Sequence, residues 1–202
     1  MFITFEGPEN SGKSTHAYLL ESFLKAINIP CILVREPGGT ELGERIRDIL
    51  LNQDLSPTTE LLLFEAARAE LVNRVINPAL KEGKIVICDR FTDSTLAYQG
   101  YGKGLDISKI RKLNDVATGG LKPDLTFLLM VKESIFIDRL YQAKERDKFE
   151  RQNLEFHRRV IQGFYEIASF EPERFVIIDS SEESILTIQE EIKTHFIKRR
   201  RY

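Results

Sequence analysis

The segment Gly7-Pro8-Glu9-Asn10-Ser11-Gly12-Lys13-Ser14 constrains this chain more than any other. It fits G-x-x-x-x-G-K-[ST], a loop whose backbone N–H groups wrap around nucleotide phosphates. The glycines permit a tight turn and a close approach to an anion. Lys13 supplies a compact positive charge for the terminal phosphates, and the Ser14 hydroxyl offers a ligand to Mg2+. The apolar run Phe2-Ile3-Thr4-Phe5 precedes the loop, and a helical pattern from Thr15 to Ile27 follows it. That context separates an anion site from a mere glycine turn, because the positive end of the following helix faces the same anion.

Short apolar runs recur along the chain at Phe2–Phe5, Cys31–Val34, Ile85–Cys88, Leu125–Val131 and Phe175–Ile178, and predict five buried strands. Helical patterns lie between them. Ala17, Leu20, Leu24 and Ile27 share one face, and Ile107, Ile110, Leu113 and Ala117 share another. Alternation of this kind predicts an α/β/α fold, a five-stranded parallel sheet covered by helices on both sides. A length of 202 residues is expected to form one domain over 1–202. In such sheets ligands bind beyond the carboxyl ends of the strands, so the residues just after each run carry the chemistry.

Charge and cysteine usage narrow the function. A net charge of −2 gives no reason to expect a nucleic-acid partner, and Lys198-Arg199-Arg200-Arg201 reads as a solvated tail. No apolar stretch reaches the roughly 18 residues of a membrane span, and the first residues run straight into the glycine loop without a signal-peptide layout. Cys31 and Cys88 each sit in an apolar run, as reduced core residues of a cytoplasmic protein would.

After the second run comes Arg35-Glu36-Pro37-Gly38-Gly39-Thr40, and after the third Asp89-Arg90-Phe91. Asp89 is placed like the acid that holds Mg2+ in phosphate-loop enzymes, and Arg90 offers a planar fork to a phosphate. A surface ion pair is the plainer reading of Asp89-Arg90. Lys13, Arg35 and Arg90 are expected to converge on one edge of the sheet. Phe64 and Arg68, four apart, share a helix face that suits a flat base beside a polar group; core packing is the alternative for Phe64. Ser94, Thr95, Tyr98 and Gln99 add hydrogen-bonding groups, after which Gly100, Gly102 and Gly104 are expected to loosen the chain. The charged run Lys144 to Arg151 reads either as a helix surface with an Asp147–Arg151 pair or as a mobile lid, at about 141–153, that brings cations to a phosphoryl group.

Taken together, these blocks resemble the thymidylate kinases, and the bacterial members in particular. The resemblance rests on Phe5-Glu6-Gly7 through Thr15, Arg35 through Thr40, Phe64-Glu65-Ala66-Ala67-Arg68, Asp89-Arg90-Phe91, Ser94 through Gly100 and Pro123-Asp124-Leu125-Thr126, in the family's order. It implies phosphorylation of dTMP to dTDP by ATP, with Mg2+ as cofactor. By that resemblance Gly7, Pro8, Glu9, Asn10, Ser11, Gly12, Lys13, Ser14 and Thr15 bind ATP, and Arg139 lies against its adenine. Phe64 stacks on thymine with Arg68 and Gln99 at the polar edge; Arg35 and Arg90 hold the dTMP phosphate. Ser94 and Thr95 complete the dTMP site, Glu9 meets the 3′-hydroxyl, and Tyr98 crowds the 2′ position. Ser14 and Asp89 serve the metal, while Lys13, Glu9, Arg90 and the lid's Arg146 are catalytic, with Lys144 or Lys148 assisting.

The sequence departs from the pattern at Asp147-Lys148, where the family has Asp-Arg; a lysine cannot make a bidentate grip. The family is typically homodimeric, and Leu71, Val72 and Val75 on a helix over Leu61–Leu80 are candidates either for that interface or for ordinary core. The chemistry agrees independently. A phosphate monoester, with a second pKa of about 6, is already a nucleophilic dianion at neutral pH, so cations and positioning suffice without a general base. Other nucleoside monophosphate kinases share this logic. A guanine-nucleotide switch would carry an Asn-Lys-x-Asp motif, and none occurs.

Overall fold

The computed structural model describes residues 1–142 and 148–200. Its strands are β1 (Phe2–Glu6), β2 (Cys31–Arg35), β3 (Ile85–Asp89), β4 (Leu125–Met130) and β5 (Phe175–Asp179). They form one sheet in the order β2-β3-β1-β4-β5, and every neighbouring pair is parallel. The expected strands and the α/β architecture are therefore present, each within about a residue or two of its apolar run.

Because β1 is central, its residues alternate between two buried faces. Ile3 and Phe5 pack with Leu20 and Leu24 of α1 (Lys13–Ala26) and Ile192 and Phe196 of α9 (Ile185–Arg200). Phe2, on the other face, packs with Val86, Phe91 and Leu71. That second face is covered by α3 (Pro57–Leu71), α6 (Ile107–Thr118) and α8 (Leu154–Phe170), with α2 (Glu41–Asn52) outside α3. Two shorter helices, α4 (Asn77–Lys81) and α5 (Thr92–Thr95), and α7 (Glu133–Gln142) complete the set among the described residues.

Side chains set several helix starts. Ser56 accepts from Thr59 N with Pro57 just inside α3, Thr40 accepts from Gly43 N before α2, and Asn153 accepts from Phe156 N before α8. The helix expected over Leu61–Leu80 is instead α3, a π-helical turn at Val72–Ile76, and α4. Leu71 and Val72 on it lie in the core against Phe2 and Val86, and only Val75 is half-exposed.

Gly100 and Gly102 do not loosen the chain. They belong to a second π-helical stretch, Leu96–Gly102, and allow close packing: a Cβ would stand 2.3 Å from Ile107 Cδ1 at Gly100 and 2.6 Å from Phe156 Cε2 at Gly102. The stretch is clamped in this way against α6 and α8, which holds Tyr98 and Gln99 rigidly at the site.

Candidate active site

The parallel register brings three loop starts to one edge. Phe5 pairs with Asp89 and Arg35 pairs with Asp89, so the phosphate loop, the Arg35-Glu36 turn and Asp89-Arg90 leave the sheet side by side. The loop needs its glycines. Gly7 has φ 138°, and a Cβ there would lie 2.1 Å from the Leu129 carbonyl oxygen. Gly12, at φ 91°, turns the chain into α1, which starts at Lys13, two residues earlier than its apolar pattern.

Lys13 is buried, and its Nζ donates to the Pro8 carbonyl and to Ser11 Oγ at 3.3 Å. Burial first, and the nearby Arg90 guanidinium second, pull its pKa down from 10.5 to about 7. Ser14 Oγ donates to Asp89 Oδ2, while Asp89 Oδ1 is buried with no hydrogen-bond partner. A hydroxyl beside a carboxylate with a spare oxygen suits a hard divalent cation that takes its remaining ligands from water and substrate phosphates. These residues fit Mg2+.

Two clefts open on either side of the loop. One, of about 910 Å3, is lined by Asn10, Gly12, Lys13, Ser14, Thr15, Arg139 and Gln142. Arg139 donates to the Asn10 carbonyl at 3.0 Å and to the Ser180 and Ser181 carbonyls at 2.9 and 3.1 Å, so it braces the loop against the end of β5. The other cavity, of about 570 Å3, is lined by Glu9, Phe64, Arg68, Arg90, Ser94, Thr95, Tyr98 and Gln99 among others. Eight of the nine sequence-expected acceptor-site residues thus meet in one cavity, the exception being Arg35.

Arg35 points elsewhere. It is half-exposed and pairs with Glu44 at 3.0 Å, so it leaves the same sheet edge as Lys13 and Arg90 but its side chain does not line the cavity. Arg47 of α2 stands on the cavity wall instead. Arg90, at φ 69°, donates to the Gly7 carbonyl and Ser94 Oγ, lies 5.2 Å from the Tyr98 ring centroid and stands 3.5 Å from Glu9. Burial pushes the Tyr98 phenol well above its usual range.

Arg68 departs from a simple ligand role. Nε donates to Glu36, Nη1 to Glu65 and Asn114, and Nη2 to the Phe91 carbonyl and Thr95 Oγ1. These contacts use all the N–H groups that a guanidinium has. Ser94 is likewise engaged, donating to Glu6 Oε2 while Phe91 N donates to Glu6 Oε1. Burial raises the Glu6 and Glu36 carboxyls from 4.5 to about 7.

Of the expected lid, Lys144 and Arg146 lie outside the described residues, as does Asp147 of the Asp147–Arg151 pair. Lys148 is described, and its Nζ pairs with Glu60 at 2.8 Å and donates to the Gln53 carbonyl. Phe149 lines the cavity and meets Phe64. Sequence reasoning missed Phe149, Arg47, Glu6 and Glu60. Phe149 was visible as the sole aromatic in the run Lys144 to Arg151. Glu60 stands four residues before Phe64 and eight before Arg68, on the same helix face.

Comparison with known proteins gives the family of the chain. The sequence profile of the family described as thymidylate kinase matches residues 5–192. A thymidylate kinase from Synechococcus sp. (strain JA-2-3B'a(2-13)) is 54% identical over 181 residues, covering 89% of this chain and 86% of its own length. One from Kosmotoga olearia is 45% identical over 199 residues, 98% of this chain and 95% of its own. A crystal structure of thymidylate kinase from Ehrlichia chaffeensis superimposes with a TM-score of 0.81 at 41% identity, over 97% of each chain. The chain belongs to the thymidylate kinase family.

Proposed function

We propose that the protein transfers the γ-phosphoryl group of ATP to dTMP, giving dTDP and ADP. The observation that carries this reading is the placement of one loop between two clefts: Glu9 faces the cavity of Phe64 and Arg90, and Asn10 through Thr15 line the other. A donor and an acceptor bound on either side meet across the loop, which is the geometry of an in-line transfer.

In this reading the N-terminus of α1 and Lys13 hold the β- and γ-phosphates, and Arg139 flanks the adenine. Phe64 stacks on the base, Arg90 grips the acceptor phosphate, Glu9 orients the sugar, and Tyr98 limits space at its 2′ position. Thr95 and Glu36 act by holding Arg68, and Ser94 by holding Arg90, rather than by touching the nucleotide. Ser14 and Asp89 hold Mg2+, which when bound neutralises charge on the transferring phosphoryl group. The acceptor dianion needs no general base. Arg146 is the residue proposed to reach the phosphates from a lid at about 141–153.

The working unit is a cytoplasmic homodimer of single-domain chains over 1–202. Exposed Leu62 on α3 and Val116 on the adjoining α6 support the dimer, and two unpaired cysteines support the compartment. Among the described residues no helix is long and apolar enough to cross a membrane. A coupled ADP-release assay with dTMP, dUMP, dCMP, dGMP and AMP supplied separately tests the reading. Turnover should be strong with dTMP, weaker with dUMP and negligible otherwise; preference for another monophosphate overturns the base-site assignments.

A further inference from the structure

Glu60 is buried at the start of α3, beneath the acceptor cavity, and the phosphate chemistry above makes no use of it. Its Oε1 accepts from Gln99 Nε2 at 3.0 Å and pairs with Lys103 Nζ at 2.7 Å; its Oε2 pairs with Lys148 at 2.8 Å. Burial alone would raise its pKa, but the bonds from Lys103, Lys148 and Gln99 outweigh burial and hold it below the usual carboxylate range. Glu60 is therefore ionised, and an ionised carboxylate only accepts hydrogen bonds.

That fixes the amide of Gln99. Its nitrogen end must face Glu60, so its carbonyl oxygen is the end not committed there, on a side chain that lines the cavity. The stretch Leu96–Gly102 cannot shift to relieve the constraint, because Gly100 and Gly102 are packed against Ile107 and Phe156. We propose that Glu60 is a positioning residue that locks Gln99 as a hydrogen-bond acceptor and so selects bases offering a ring N–H over bases offering a ring-nitrogen lone pair. The proposal rests on the reading of this cavity as the base site. Thymine and uracil carry N3–H beside a carbonyl. Cytosine presents a lone pair at N3, which would face the Gln99 oxygen with no hydrogen between them.

The variant E60Q keeps the shape but removes the obligation. A neutral amide turns either end to Gln99, so Gln99 can present its NH2 to the cavity and accommodate cytosine. E60Q is expected to lower the dTMP-to-dCMP ratio of kcat/KM by on the order of tenfold or more while leaving the dTMP-to-dUMP ratio unchanged. A merely structural loss would lower all three substrates together and move neither ratio. In a Q99A background the same substitution should leave the dTMP-to-dCMP ratio where Q99A alone puts it.

A wild type that shows no preference for dTMP over dCMP overturns the base-site reading and this proposal with it. A wild type that keeps the preference, with E60Q unchanged in that ratio, overturns the positioning role alone. Should E60Q not fold, NMR of the unaltered enzyme decides. With dTMP isotope-labelled at N3, a coupling through the hydrogen bond to the Gln99 side-chain carbonyl carbon is expected. Gln99 amide hydrogens directed at the base instead would overturn the assignment.

Discussion

Phe64 and Phe149 lie with ring centroids 6.0 Å apart and planes inclined by 56°. One ring comes from α3, and the other from the turn at Lys148–Arg151 that follows residues 143–147. Phe149 also meets Tyr98 edge-on at 6.1 Å, with the Lys103 and Lys148 ammonium groups 5.5 and 5.6 Å from its centroid. The turn at Lys148–Arg151 thus places Phe149 in the wall of the acceptor cavity.

F149A should therefore weaken the acceptor specifically. KM for dTMP is expected to rise about tenfold, the equivalent of about 1.4 kcal/mol, with KM for ATP unchanged. Steady-state kinetics with each substrate varied in turn checks this; a rise confined to ATP would place Phe149 at the wrong cleft.

Lys13, with its pKa lowered to about 7, is partly neutral in the free enzyme above that pH. Bound phosphates favour the charged ammonium, so ATP binding should take up a proton above pH 7 and none well below it. Apparent ATP affinity should fall with rising pH, approaching tenfold per unit. Calorimetry at pH 8 in buffers of different ionisation enthalpy reads the uptake, which K13M should abolish together with most turnover.

Arg68 neutralises Glu36 and Glu65 inside the protein, at 2.7 and 2.9 Å. R68M leaves buried carboxylates without a partner and should cost about 3–5 kcal/mol of stability. Urea unfolding measures the loss. Intact stability with reduced dTMP affinity would instead mark Arg68 as a direct base ligand.

Glu6 and Glu36 both have folded pKa values raised to about 7, so the native state keeps protons that the unfolded chain releases near 4.5. Their contribution is complete below the unfolded value and is lost as pH rises through about 7. The Tm of the free enzyme should decline over this window, and E6Q should flatten the decline. An equal slope in E6Q would remove Glu6 from the account.

Much of the fold was legible because its signals are local. Five apolar runs marked the strands, and the glycine loop lies, as its motif predicts, between the first strand and helix α1. Phe64 and Arg68, four residues apart, share a helix face and both line one cavity. What stayed hidden depends on contacts distant in sequence. Nothing in the run Arg35-Glu36 tells that Arg35 turns out to Glu44 while Glu36 turns in to Arg68. Gly100 and Gly102 read as flexibility when taken alone, and only the neighbouring α6 and α8 reveal them as close-packing positions. The burial of Glu60 was hidden because its partners, Gln99, Lys103 and Lys148, are 39 or more residues away.

The central claim is that the γ-phosphoryl group passes directly from ATP to dTMP across the phosphate loop. The measurement that tests it most directly is incubation of the enzyme with dTMP, Mg2+ and ATP labelled at the γ-phosphoryl group, with the products separated and assayed. The account predicts that the label appears on the β-phosphate of dTDP in proportion to the ADP formed, with little as inorganic phosphate. Label released as inorganic phosphate at the same rate with and without dTMP would contradict it.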